Sequence, residues 1–433
     1  MIPARARVML SSAVPAPFVG IGSALVLLAV VIVANLWQRY LWEILPASFG
    51  ATAATWWWVV AVLTLTGLLV GLTVKYVPGH AGPDPATVSL FGPPTPLVVL
   101  PGLALVLVLA LGGGVSLGPE NPIIAIIVGL TVAIGTWLMP AVKPEGWVML
   151  AAAGTIGAMF GTPVAAALLF SEMIRGDEKT PVWDRLFAPL VAAGAGALTM
   201  SLFEQPNFTL AVEPYTIPRA IDIVSGIAVA LAAIAVGMVA VWIFPAAHKF
   251  FISLKHPVLM LTLGGLLLGF LGVVGGPITM FKGLAEMKSL TTEQAGYTVG
   301  ALAAIVVIKL VAILISATCG FRGGRIFPMV FVGVAFGLLA HRVFPGIPMS
   351  LAIASSVLGF TLVVTRDGWL SLFMAAIMIS GSGLALLPLL CIVILPAWLL
   401  LAGRPEMQIK PEALAPLDEV SSQAGEPGLR TKA

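Results

Sequence analysis

The stretch LGGGVSLGPENPIIAIIVG, residues 111–129, places one carboxylate, Glu120, between Gly/Pro corners in otherwise apolar sequence. Nothing nearby would hold that group in water, so an ionisable residue in this setting reads as a functional site within a membrane. Gly118 and Pro119 before it, and Pro122 after it, predict a broken segment followed by a helix start, because proline is tolerated in the first helical turn. A helix that begins at membrane depth aims its unpaired N–H groups at whatever fills the break, and such an end is an anion site. A carboxylate can take the anion position itself; once protonated it loses its hold on the N–H groups and swings away. Burial and the helix end act on its protonation in opposite senses, which suits a gate that responds to pH or voltage.

The elements that position this carboxylate must lie in a bilayer. Of the 433 residues 59% are hydrophobic and 9% are charged, with a mean hydropathy of +1.08, against roughly 25% charged in soluble domains. An all-α, polytopic membrane chain is expected. The first apolar run, 16–37, is long enough to span and has no small-residue cleavage site, so it is read as a retained helix rather than a signal peptide. Arg5 and Arg7 before it, and Lys410, Arg430 and Lys432 in the tail after Arg404, place both termini on the cytoplasmic side. Further apolar stretches recur from 55–76 to 385–402. Several are too short or too rich in glycine for a straight span of about 20 residues, so tilted and broken helices are expected. Tryptophans near segment ends (Trp37, Trp42, Trp56, Trp57, Trp58, Trp137, Trp147, Trp183 and Trp398) read as interfacial anchors.

The formal net charge of +3 is small and scattered, which argues against a nucleic-acid partner. Cys319 and Cys391 sit in apolar surroundings and read as inert buried thiols. No cofactor or metal is expected: H-E-x-x-H is absent, and His80, His248, His256 and His341 lack ligand spacing. Ser380 and Ser382 have no histidine base in the apolar runs, so enzymatic chemistry is not expected either.

Gly114, Gly118 and Pro122 find counterparts at Gly320, Gly324 and Pro328, all at one offset. Two related halves, each with an interrupted segment in the same place, point to a transport site built from discontinuous helices near the midplane. The divisions read from this are a segment 1–16, a first repeat 17–205, a linker 206–222, a second repeat 223–404 and a tail 405–433.

At these residues the chain resembles the chloride channel and chloride/proton antiporter (CLC) superfamily, most closely a divergent bacterial branch of ion-channel or ion-transport proteins. The family signature Gly-Arg-Glu-Gly-Pro is similar to Gly118-Pro119-Glu120-Asn121-Pro122. A second stretch, ending in the family at Ala-Pro and a Glu-Glu pair, is similar to Gly154 through Pro163, Phe170 and Glu172. A third, Gly-Gly-Ile-Phe-Ala-Pro, is similar to Gly323-Gly324-Arg325-Ile326-Phe327-Pro328. The resemblance implies two inverted-topology repeats of tilted, broken helices and a homodimer with one pathway per subunit. It also implies a bacterial inner-membrane setting, a small inorganic anion as cargo, chloride foremost, and protons as a further partner. It assigns the gate to Glu120 and the anion site to Gly118, Pro119, Asn121, Gly324, Arg325, Ile326 and Phe327.

The departures fall on side-chain ligands. The family's chloride-binding serine corresponds to Ala81 or Pro83, its pore tyrosine to Met407, and its internal proton-carrying glutamate to Met173, which follows Glu172. Ala81, Met407, Glu172 and Met173 are therefore the remaining pathway candidates. Without hydroxyl donors at two of these positions, exchange of protons for fluoride or another small anion stands beside chloride conduction.

Other ionisable residues have local readings. Glu172 is expected to cap its helix or pair with Arg175. Arg325, at the second break, would add to the amide field, or else snorkel or pair with Glu120 or Asp84. Lys309, in AIVVIKLVAIL, must snorkel or meet an acid from another helix. Asp84 reads as a helix N-cap beside His80. Arg366 and Asp367 read as a turn between two spans.

Overall fold

The computed structural model describes Met9 and residues 13–90, 92–140, 142–173, 181–203, 208–379 and 383–410. Arg5, Arg7, Arg175, Ser380, Ser382, Arg430, Lys432 and the side chain of Met173 lie outside the described residues. Among those described the chain is helical, with no strand, only two isolated bridges. Eight helices are long and apolar enough to cross a membrane.

The first part of the chain holds α1 (Ala16–Arg39), α2 (Trp56–Tyr76), α3 (Leu100–Gly112), α4 (Glu120–Leu138), α5 (Pro144–Phe160), α6 (Pro163–Met173) and α7 (Val182–Phe203). The second holds α8 (Ala220–Ser253), α9 (Pro257–Gly275), α10 (Leu284–Thr292), α11 (Val299–Thr318), α12 (Ile326–Val343), α13 (Met349–Thr365), α14 (Gly368–Ile377) and α15 (Gly383–Leu401). A π-helical turn at Tyr40–Ile44 carries α1 on to Ser48. Local chemistry sets several starts. Pro144 and Pro257 open α5 and α9, and Asp367 caps α14 by accepting from Leu370 N–H at 2.7 Å. Arg366 and Asp367 thus form the expected turn, with Arg366 in the left-handed region at φ 53°.

Packing is tight because small residues line the contacts. α2 lies against α9 through Gly67 and Gly265, where an added Cβ would collide with the carbonyls of Leu261 and Leu63. The centre of the molecule is closely packed: Ile326–Ala335 of α12 and Ser350–Val363 of α13 are buried throughout.

Several expectations about side chains need correction. Trp42, Trp58 and Trp147 are buried rather than interfacial. The indoles of Trp42 and Trp58 donate to the carbonyls of Gly112 and Leu41, so an apolar ring with one satisfied N–H fits inside the bundle. Trp56, Trp137 and Trp183 are exposed. Cys319 is buried, but Cys391 is exposed. Asp84 caps no helix: it accepts from Ala86 N–H at 2.9 Å in a short loop turn and meets His248 at 2.8 Å.

Candidate functional site

The two breaks meet. Gly118 N–H donates to Gly324 O at 2.8 Å, and Gly324 N–H donates to Gly118 O at 2.7 Å. The segments before α4 and α12 are thus zipped together by one reciprocal backbone pair, so both helix starts converge on one spot.

Glu120 fills that spot. It is fully buried, and its Oε1 accepts a hydrogen bond from Phe327 N–H, in the first turn of α12, at 2.7 Å. Its Oε2 has no partner. The carboxylate lies against both break glycines, since a Cβ built on Gly118 or Gly324 would collide with its oxygens. Glycine is therefore required at both positions for close approach rather than for a special backbone angle. A main-chain N–H at a helix start, a carboxylate on it, and walls without side chains make a seat for an anion with an acidic side chain in it.

Two cavities end at this seat. One, of about 430 Å³, is lined by Asn121, Arg325, Ile326, Glu172, Asp367 and Gln408. The other, of about 420 Å³, is lined by Pro119, Phe327, Phe281, Lys282, Glu286 and Lys288. Sequence neighbours face different cavities: Pro119 and Phe327 one, Asn121 and Ile326 the other. Glu120 and the peptide joining Ile326 to Phe327 lie in sequence between residues that line one cavity and residues that line the other. Above Phe327 lies an aromatic cluster, with Phe208 stacked at 5.7 Å and Phe160 tilted at 6.0 Å.

The remaining candidates are dispersed. Arg325 is buried, donates to the carbonyls of Met407 and Val88 and faces the Phe244 ring at 5.6 Å. It neither snorkels nor pairs with Glu120 or Asp84 as an ion pair; it binds the segment after α15 to the site. Met407 is buried and lines neither cavity, contributing only the carbonyl that Arg325 holds. Ala81 is buried at a left-handed position, φ 53°, beside a third cavity of about 500 Å³. Glu172 and Asp367 both line the first cavity, and Asp367 is the acid whose charge Glu172 feels.

Arg322 is the residue that sequence reasoning passed over. Its guanidinium donates to the carbonyls of His80, Ala81, Gly82 and Gly320 at 2.8–3.3 Å. It ties the 79–82 loop of the first half to the second break. The signal was present in Gly-Phe-Arg-Gly-Gly-Arg: a second arginine three residues before Arg325, in apolar sequence, needs buried acceptors. Lys309 meets no acid directly either. Its ammonium donates to the carbonyls of Thr279, Met280 and Phe281.

This geometry has relatives. The chain is 52% identical over 421 residues to proteins described as "Putative ion-transport protein YfeO" from Escherichia coli (strain K12 / DH10B) and Shigella boydii serotype 4 (strain Sb227), covering 97% of this chain and 100% of each relative. Its fold is similar to that of a slow cyanobacterial Cl⁻/H⁺ antiporter, at TM-score 0.75 and 17% identity over 94% of this chain and 96% of the other. It is also similar to a CLC-type fluoride/proton antiporter, at TM-score 0.70 and 17% identity over 90% and 95%. The sequence profile described as voltage gated chloride channel matches residues 66–401, a span that includes both zipped breaks and the seat between them; this multi-pass membrane chain belongs to that family, the CLC superfamily.

Proposed function

We propose that this chain moves a small inorganic anion, chloride foremost, across a bacterial inner membrane through the seat at Phe327, with Glu120 as the gate. The observation that carries the reading is the hydrogen bond from Phe327 N–H to the Glu120 carboxylate, with Pro119 and Phe327 lining one cavity and Asn121 and Ile326 the other. The carboxylate stands where an anion would stand. When it leaves, the cavities join, and the N–H groups of both helix starts are free for the cargo. Gly118, Pro119 and Asn121 from α4, and Gly324, Arg325, Ile326 and Phe327 from α12, form the seat and its approaches. In this reading the units 17–205 and 223–404 are inverted halves, each subunit of a homodimer holds its own pathway, and both termini are cytoplasmic. The role is transport rather than catalysis.

A second reading, exchange of fluoride or another small anion for protons, is favoured by one specific feature. Ala81 brings no hydroxyl and Met407 no hydrogen-bond donor, so main-chain amides are left to hold the ion. A small anion with high charge density is served well by such a seat.

The test is an anion series in reconstituted vesicles with a pH reporter inside. Saturable anion flux that loses its pH dependence in Glu120→Gln supports the gate, and chloride against fluoride flux separates the readings. No flux of any halide would overturn both.

A further inference from the structure

Lys309 is the one fully buried lysine among the described residues, and its environment is not an ion pair. Its three donors reach three consecutive carbonyls, Thr279 at 3.1 Å, Met280 at 2.7 Å and Phe281 at 2.7 Å. The Phe331 ring lies 5.1 Å from Nζ, and Glu286 is the acid whose charge it feels. These carbonyls belong to the end of the short 3₁₀ turn Pro277–Thr279 and the bend after it, inside the bundle, where unpaired polar groups are costly.

The same segment spans the site. Phe281 N–H donates to Gly114 O at 3.1 Å, and Ser116 Oγ donates to Thr279 O at 3.2 Å, so one edge is fixed to the first break. At the other edge Gly283 lies against Phe331 of α12, where a Cβ would come within 2.7 Å of the ring's own Cβ. Between them Phe281 holds φ 54°, a left-handed angle that a bulky residue keeps only when its surroundings enforce it. Phe281 and Lys282 line the cavity that ends at Pro119 and Phe327.

We propose that Lys309 is a positioning residue for anion entry: its ammonium holds the 279–281 backbone in the shape that sets Phe281 and Lys282 at the mouth of the Phe327 cavity. The inference rests on the anion-pathway reading. Failure of that reading shows as absent saturable flux in the unmodified protein, whereas failure of this one shows in the half-saturation of its variants.

The experiment compares chloride and fluoride flux of unmodified protein, Lys309→Met and Lys309→Gln in vesicles, per folded protein, across anion concentration. Applied from the side of the Phe327 cavity, the anion should need roughly tenfold more concentration for half-maximal flux in Lys309→Met, with maximal flux kept, and an intermediate amount in Lys309→Gln. A purely structural role would lower the yield of folded protein and leave half-saturation in place. Should Lys309→Met not fold, Ser116→Ala loosens the same segment from its other edge and should move half-saturation the same way, by a smaller factor. A charged thiol reagent on Lys282→Cys, in a Cys391→Ser background, should react at a different rate once Lys309 is replaced by Gln. Unchanged half-saturation in folded Lys309→Gln and Ser116→Ala, with an unchanged reaction rate at position 282, overturns the proposal.

Discussion

The carboxylate of Glu120 and the main-chain N–H of Phe327, 207 positions apart in sequence, are joined by a 2.7 Å hydrogen bond. A first-half side chain thereby closes a second-half helix. An ionised acceptor makes such a bond short and strong, and the closed state of the proposed gate rests on it. Because Oε2 has no partner, the seat holds the carboxylate by one oxygen and the field of the helix ends.

Glu120→Gln keeps the shape and removes the charge. A hydrogen bond to a charged group is worth about 1.5–3 kcal/mol against about 1 for a neutral one, so the amide should compete with the cargo roughly tenfold less well. Flux at sub-saturating anion should rise by that factor and become flat across pH. Vesicle flux measured between mildly acidic and mildly basic pH checks both, and a retained pH dependence removes Glu120 from the gate.

Gly324→Ala attacks the same seat from its wall. The new methyl group would occupy the space of the Glu120 carboxylate, so the side chain must leave its hydrogen bond to Phe327. The variant should conduct like Glu120→Ala. In the double variant the methyl has no carboxylate to expel, so the two effects should fall well short of adding, as expected for residues in contact. Full additivity would mean that the glycine acts elsewhere.

Features with a local cause were the ones legible from the chain. Gly118, Pro119 and Pro122 break a helix wherever they occur, so the position of Glu120 at a helix start could be read directly, and the shared offset of Gly118 and Gly324 matched one break to the other. Their reciprocal hydrogen bonds needed coordinates, since an offset says nothing of distance. The partners of Lys309 and Arg322 were illegible for a related reason. Apart from Gly320 O beside Arg322, they are carbonyls more than twenty residues away, and a carbonyl carries no sequence signature. Glu172 stands with Asp367 on one cavity wall because α6 packs against α14, a proximity that no local pattern in the sequence carries. Three of the tryptophans misled because some segment ends lie inside the bundle, as those of Trp42, Trp58 and Trp147 do.

Arg322 predicts a stability effect. Replacing it by Met would strip the carbonyls of His80, Ala81, Gly82 and Gly320 of their shared donor. A buried unsatisfied acceptor costs about 1–3 kcal/mol, so a loss of at least about 3 kcal/mol is expected, read as a lower thermal transition in detergent. Arg322→Lys should recover only part, because an ammonium cannot span the same fork. A transition unmoved by Arg322→Met would show that the 79–82 loop is held by other contacts.

Tyr215 gives a pH-dependent counterpart outside the spans. Its hydroxyl donates to Asp222 at 2.8 Å, and Arg219 binds the same carboxylate at 2.8 Å while donating to Gly346 O at 3.0 Å. The cluster fixes the start of α8 to the turn before α13. Burial, together with the bond to Asp222 and its charge, pushes the phenol up to about 12, against about 10 in an unfolded chain. A group with a raised folded value stabilises fully below its unfolded value and loses that contribution as pH climbs through the folded one. Tyr215→Phe should therefore cost about 2 kcal/mol at pH 8, and the gap between the two proteins should close between about pH 10 and pH 12. Chemical unfolding of both in detergent across that interval checks the sign; a gap that stays constant to pH 12 would mean that the hydroxyl contributes by packing alone.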